Sequence, residues 1–202
     1  MKTIFILLLA VMPLIPVRAS DFSCSVKTGR LTSEADSSGL FPDAPVYVAE
    51  FFGQHLPLAR KLSMHFRIPA AVILSVAALE SGYGQADSRV IQECFNYFNI
   101  KTWKDSDPTC CKMDDNPARE SCFRKYEEPE GSFWDFCRMM HTGKYRIITN
   151  LPRWDYRAWA EELHQAGYAT DPEYAQKLIT IIEKYDLNRF DPMPIPHPYE
   201  LD

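Results

Sequence analysis

The sequence predicts a mainly α domain with one small β-lobe, and three observations carry that prediction. The run from Ala70 to Leu79 is apolar nearly all round, as in a helix buried on every side. Two later stretches place apolar residues at i, i+3, i+4 and i+7: Phe133, Phe136, Cys137 and Met140, then Ala175, Leu178, Ile179 and Ile182. Residues 105–131 lose that period. They hold Asp, Pro, Cys and Asn, with a turn signal at Asp115-Asn116-Pro117.

Each element can be placed in order. Asp43 is a candidate cap for a first helix through Val46, Val48, Phe51 and Phe52, and a second helix runs from Leu58 to Phe66 with Pro57 at its start. The third opens at Pro69, a favoured first-turn residue, and ends where Gly82 and Gly84 stop it. Flanks at Cys110–Met113 and Ser121–Tyr126 can pair as a hairpin. Ser132 and Asp135 have capping-box spacing ahead of a fourth helix. Asp155 caps Tyr156 to Ala166, Gly167 ends that helix, and Asp171-Pro172-Glu173 opens the last one. Residues 20–42 read as a flexible leader, 43–187 as the domain, and 188–202 as a Pro-rich extended tail.

Residues 1–19 read as an export signal. Lys2 precedes an apolar run from Ile4 to Met12, too short to span a bilayer, and Val17-Arg18-Ala19 offers a cut site before Ser20. Cleavage there leaves no integral membrane segment and moves the net charge from −5 to about −7. An acidic balance argues against a nucleic-acid partner, which rewards basic surfaces. The remaining chain suits one domain, expected to act as a monomer. Six cysteines in an exported chain (Cys24, Cys94, Cys110, Cys111, Cys122 and Cys137) point to disulfides, with fifteen pairings open. The adjacent Cys110 and Cys111 are expected to seek distant partners rather than each other. There is no Cys-x-x-Cys pair, and the five histidines lack ligand spacing, so neither a metal nor a cofactor is expected.

Glu80 is the one charged residue of the apolar helix and lies in its last turn. Burial raises a carboxyl pKa, and the negative end of a helix dipole pushes the same way. A carboxylic acid held protonated near neutral pH is what glycosidic bond cleavage asks of its proton donor. Lysozyme illustrates that environment. The Ser81-Gly82-Tyr83-Gly84 turn that follows gives a sugar chain room to approach.

Ala77-Ala78-Leu79-Glu80-Ser81-Gly82-Tyr83-Gly84 resembles the catalytic segment of glycoside hydrolase family 73, the bacterial N-acetylglucosaminidases. Three further segments agree in order and spacing. Asn96-Tyr97-Phe98-Asn99-Ile100-Lys101 resembles the family's Asn-Leu-Phe-Gly-Ile-Lys, and Phe123-Arg124-Lys125-Tyr126 resembles its Phe-Arg-x-Tyr. Gly167-Tyr168-Ala169-Thr170-Asp171-Pro172-Glu173-Tyr174-Ala175 resembles its Gly-Tyr-Ala-Thr-Asp-Pro-x-Tyr-Ala. Together they cover roughly residues 44–187. The resemblance implies a lysozyme-like two-lobed fold and hydrolysis after N-acetylglucosamine in peptidoglycan, in the periplasm or outside the cell. It makes Glu80 the general acid and places Tyr168 in the cleft near the cleaved sugar. Tyr83 and Phe98 are candidate sugar-stacking surfaces. Asn96 and Tyr174 complete the expected substrate-binding set, although Asn96 and Lys101 also read as shaping their turn.

The chain departs from that pattern in two places. The family often supplies a second acid from its β-lobe. Here Asp107, Asp114, Asp115 and Glu120 are available, and Asp114 is the choice because the first hairpin strand should end there. An inverting enzyme needs such a second carboxylate, whereas a substrate-assisted route would use the sugar's own acetamido group. Asn99 replaces a glycine, a change tolerable if that position is left-handed. Two rival readings are a lytic transglycosylase, which also uses one buried Glu, and a non-catalytic glycan-binding protein retaining the fold.

Overall fold

The computed structural model describes residues 37–86, 89–102, 108–113 and 120–192. The expected signal peptide, most of the leader, the candidate acid Asp114 and the tail beyond residue 192 lie outside the described residues.

Among the described residues, seven α-helices, two strands and two 3-10 segments follow one another. Helix α1 (Ser37–Leu40) leads into α2 (Val46–Phe66), α3 (Ala70–Ser81) and the short α4 (Arg89–Gln92). Strands β1 (Thr109–Met113) and β2 (Glu120–Arg124) form the hairpin. Helix α5 (Pro129–Met140), a 3-10 segment (Gly143–Asn150), α6 (Tyr156–Gln165), α7 (Tyr174–Lys184) and a 3-10 turn (Leu187–Phe190) follow.

Helix α3 is the centre. Ten of its residues are buried, and α2, α5, α6 and α7 pack around it. Its nearly all-apolar composition is the sequence signature of that position. The amphipathic α6 and α7 each turn one face inward, with Trp159, Ala160 and Leu163 from one and Leu178, Ile179 and Ile182 from the other. Asp155 caps α6 as expected, accepting the Ala158 N–H at 3.1 Å.

Three sequence expectations are corrected. The first two helices are one, because α2 runs straight through Pro57. That proline is exposed, while Phe52, Leu56, Ala59 and Leu62 keep one buried stripe continuous on both sides of it. The stripe outweighs the loss of about 3 kcal/mol that a mid-helix proline imposes. Asp43 is not the cap of this helix, since Pro45 occupies the cap position and its carbonyl accepts the Val48 and Ala49 N–H groups. The Ser132/Asp135 capping box does not form either. Helix α5 starts earlier, with Pro129 in its first turn, and the Ser132 hydroxyl bonds back to the Pro129 carbonyl at 2.9 Å. Asp135 instead accepts from Arg124 Nη1 and the Tyr126 hydroxyl, each at 2.6 Å, and so ties α5 to the β-lobe.

The β-lobe is braced from both faces of one strand. Neighbouring residues on a strand point to opposite sides, so Cys110 and Cys111 cannot share a partner direction. Cys111 lies directly across from Cys122 and bonds to it, while Cys110 turns inward to Cys94. Residues 100–102 add a partial third strand: Thr102 N–H donates to the Cys122 carbonyl, and Arg124 N–H to that of Ile100. Cys137 is a free, buried cysteine of the α-lobe.

Candidate active site

Glu80 sits in the last turn of α3, half-buried, where the apolar helix reaches the surface. Gly82 closes the helix in the left-handed conformation, and its N–H donates to the Ala78 carbonyl. Tyr83 and Gly84 are left-handed as well. The Ser81 hydroxyl stabilises this tight exit by donating to the Ala77 carbonyl at 2.6 Å and accepting the Gly84 N–H at 2.9 Å.

Both oxygens of the Glu80 carboxyl have a neutral donor. The Tyr174 hydroxyl donates to Oε1 at 2.9 Å, and Asn99 Nδ2 donates to Oε2 at 2.9 Å. Burial pushes the carboxyl above its ordinary range, while the bonds from Asn99 and Tyr174 act against that rise. Tyr174 is itself buried, and burial with the neighbouring Tyr168 and Glu80 raises its hydroxyl far beyond physiological pH. It therefore remains a neutral donor.

Tyr168 belongs to the same cluster. Its ring lies 5.8 Å from that of Tyr174 and 6.0 Å from that of Tyr145, and its hydroxyl donates to the Phe98 carbonyl at 3.0 Å. Burial and the nearby Glu80 raise this hydroxyl as well. Gly167, left-handed just before it, is held by Lys144, whose ammonium donates to the Gly167 carbonyl at 2.9 Å.

The remaining sequence candidates are placed elsewhere. Phe98 is 1% exposed, stacked 4.4 Å from Phe136 and edge-on to Phe133. Its ring has no face for a sugar, which corrects the stacking expectation. Asn96 is fully buried: its amide donates to the carbonyls of Ile100 and Arg124, and its Oδ1 accepts the Ile100 N–H. It shapes the loop against β2 and does not meet substrate, which corrects its assignment to the binding set. Tyr83 joins a different aromatic cluster, with its ring edge-on to Tyr47, Phe51, Phe52 and Tyr185.

Sequence reasoning missed Asn99 as a site residue. It adopts φ 50°, so the left-handed condition is met, and it turns its amide onto the acid. The signal was the asparagine itself, a polar side chain where glycine would suffice. Among the described residues, no group of three or more His, Cys, Asp or Glu could hold a metal ion.

A helical lobe, a small hairpin lobe and one half-buried acid at the exit of the central helix define a lysozyme-like two-lobed glycosidase domain. The family described as mannosyl-glycoprotein endo-beta-N-acetylglucosaminidase matches residues 56–187, and the chain belongs to this glucosaminidase family. The peptidoglycan hydrolase FlgJ of Vibrio parahaemolyticus is 29% identical over 172 residues, covering 80% of this chain and 54% of that one. The exo-glucosaminidase LytG of Bacillus subtilis is 27% identical over 186 residues, covering 87% and 61%. The solved glycoside hydrolase domain of Salmonella typhimurium FlgJ superposes with a TM-score of 0.55 at 28% identity, over 69% of this chain and 88% of that one. The chain spans about half the length of the FlgJ relatives it matches.

Proposed function

We propose that this domain hydrolyses the β-1,4 glycosidic bond after N-acetylglucosamine in peptidoglycan, outside the cytoplasm, with Glu80 as general acid. The observation that carries this reading is the Glu80 carboxyl: raised by burial, reachable from solvent, and held by Asn99 and Tyr174. Glu80 gives its proton to the glycosidic oxygen as the bond to the anomeric carbon breaks. Water then supplies hydroxide to that carbon, and its remaining proton restores the acid or passes to solvent. Tyr174 and Tyr168 stay protonated, so Tyr174 can stabilise either state of Glu80 without competing for the proton. Asp114 is the candidate carboxylate to activate the water in an inverting route; the sugar's acetamido group would replace it in a substrate-assisted one.

The relatives support the substrate class, being peptidoglycan hydrolases and an exo-glucosaminidase by name. No helix among the described residues is long and apolar enough to cross a membrane. The test is to digest purified peptidoglycan and identify the new ends by mass spectrometry. Reducing N-acetylglucosamine ends support the proposal. Anhydro ends would make the enzyme a lytic transglycosylase, and no new ends with retained wall binding would make it a binding protein.

A further inference from the structure

Asn99 bonds twice to one residue. Its Nδ2 lies 2.9 Å from Glu80 Oε2 and 3.1 Å from the Glu80 main-chain oxygen. A carbonyl oxygen can only accept, so this contact orients the amide with its nitrogen toward Glu80. The backbone here is left-handed, where glycine would be free of strain. The side chain is what asparagine adds, and every bond it donates goes to Glu80.

The two carboxyl oxygens are consequently not equivalent. Oε2 meets a group that only donates, and a protonated oxygen is a poor acceptor for it. Oε1 meets the Tyr174 hydroxyl, which can donate to a carboxylate and, by rotating, accept from a carboxylic acid. We propose that Asn99 is a positioning residue for Glu80: it reserves Oε2 as an acceptor, directs the exchangeable proton to Oε1, and clamps the carboxyl to its own main chain. This rests on the reading of Glu80 as general acid. It gives the chain a second control over its acid besides burial, one that favours the ionised state and so eases release of the proton to the glycosidic oxygen.

The titratable groups around Glu80 come from three other elements: Tyr174 on α7, Tyr168 on the loop before it, and Tyr145 on the 3-10 segment beyond, with Lys144 Nζ 4.9 Å from the Tyr145 ring. Burial raises the hydroxyls of Tyr168 and Tyr174, so they keep their protons and the Glu80 carboxyl is the group of this cluster to follow.

The test compares the wild-type chain with Asn99→Gly, Asn99→Asp and Glu80→Gln. Glycine suits the left-handed backbone and removes only the side chain; aspartate keeps the shape and replaces the donor with a like charge. The basic limb of the kcat–pH profile should move to higher pH in Asn99→Gly and further in Asn99→Asp. At each optimum kcat should fall about tenfold or more with KM little changed, because the side chain holds the acid rather than the sugar. Carbon-13 titration of the Glu80 carboxyl should give the same order, whether or not a variant is active. Identical Glu80 titration in wild type and Asn99→Gly would overturn the proposal. Full activity in Glu80→Gln would instead remove the Glu80 reading on which it stands.

Discussion

Asp191 and Glu80 stand at opposite ends of the same helix. Asp191 reaches from the last 3-10 turn to α3, where its two oxygens accept the Ala70 N–H at 2.5 Å and the Ala71 N–H at 3.0 Å. About 15 Å away, by the helical rise over the ten residues from Ala70, Glu80 is held by Tyr174 and Asn99. One carboxylate completes the start of the central helix, where a negative charge suits the dipole; the other is set at its end, where it does not.

Asp191 gives a pH test of stability. Burial raises its carboxyl to about 6, against the bonds from Ala71 and Ala70 and the charge of Arg153. A carboxyl raised on folding binds its proton more tightly in the native state. Its contribution to stability is therefore full below the unfolded value of 3.8 and is lost as pH rises to about 6. Asp191→Asn should flatten that slope in urea midpoints measured across the window. Asp191→Ala should lower stability by roughly 1–3 kcal/mol, because two buried N–H groups lose their acceptor. An unchanged midpoint in the alanine variant would refute this role for Asp191.

Tyr174→Phe removes the donor at Glu80 Oε1 and leaves the ring in place. Glu80 should then hold its proton to higher pH, so the basic limb of the activity profile moves up and kcat falls by roughly tenfold or more. Tyr168→Phe frees the Phe98 carbonyl and should cost about 1 kcal/mol of stability. A Tyr174→Phe profile that overlays the wild type would show that this hydroxyl does not govern the acid.

Removing the Cys94–Cys110 bridge by changing both cysteines to alanine should lower stability by about 2–4 kcal/mol. The effect should be local: amide exchange should quicken in β1, β2 and residues 100–102, with the core of α3 still protected. Uniform loss of protection across both lobes would contradict the view of the disulfides as braces of the hairpin.

Glu80→Gln should stabilise the protein at neutral pH. Glutamine can accept from Asn99 through its oxygen and donate to Tyr174 through its nitrogen, while no charge is buried. Because the Glu80 carboxyl is raised on folding, its contribution falls as pH climbs from the unfolded value through the folded one. The variant's gain in Tm should appear above that window and vanish below it. A lower Tm at neutral pH would count against burial as the main influence on this carboxyl.

Much of the fold was legible because its signals are local. The apolar run of α3 marked the centre, and Gly82 marked its end. The adjacent Cys110 and Cys111 take separate partners, as expected, and the alternation of side chains along β1 supplies the reason. Errors arose where distant residues decide. Pro57 reads as a break until the stripe on both sides of it has a common partner in α3. Ser132 and Asp135 have capping spacing, yet Asp135 is claimed by Arg124 and Tyr126 across the lobe boundary. Phe98 sits in a motif beside the acid, and only the core formed with Phe133 and Phe136 shows that its ring is internal. Asn99 and Tyr174 meet Glu80 across 19 and 94 residues, contacts that no local pattern announces.

The central claim is that Glu80 is the acid that cleaves the glycan. Its most direct test is mass spectrometry of purified peptidoglycan after incubation with wild type and Glu80→Gln, with matched folding verified by circular dichroism. The account predicts reducing N-acetylglucosamine ends from the wild type and a loss of about a hundredfold or more in the variant. Equal release of those ends by both proteins would contradict it.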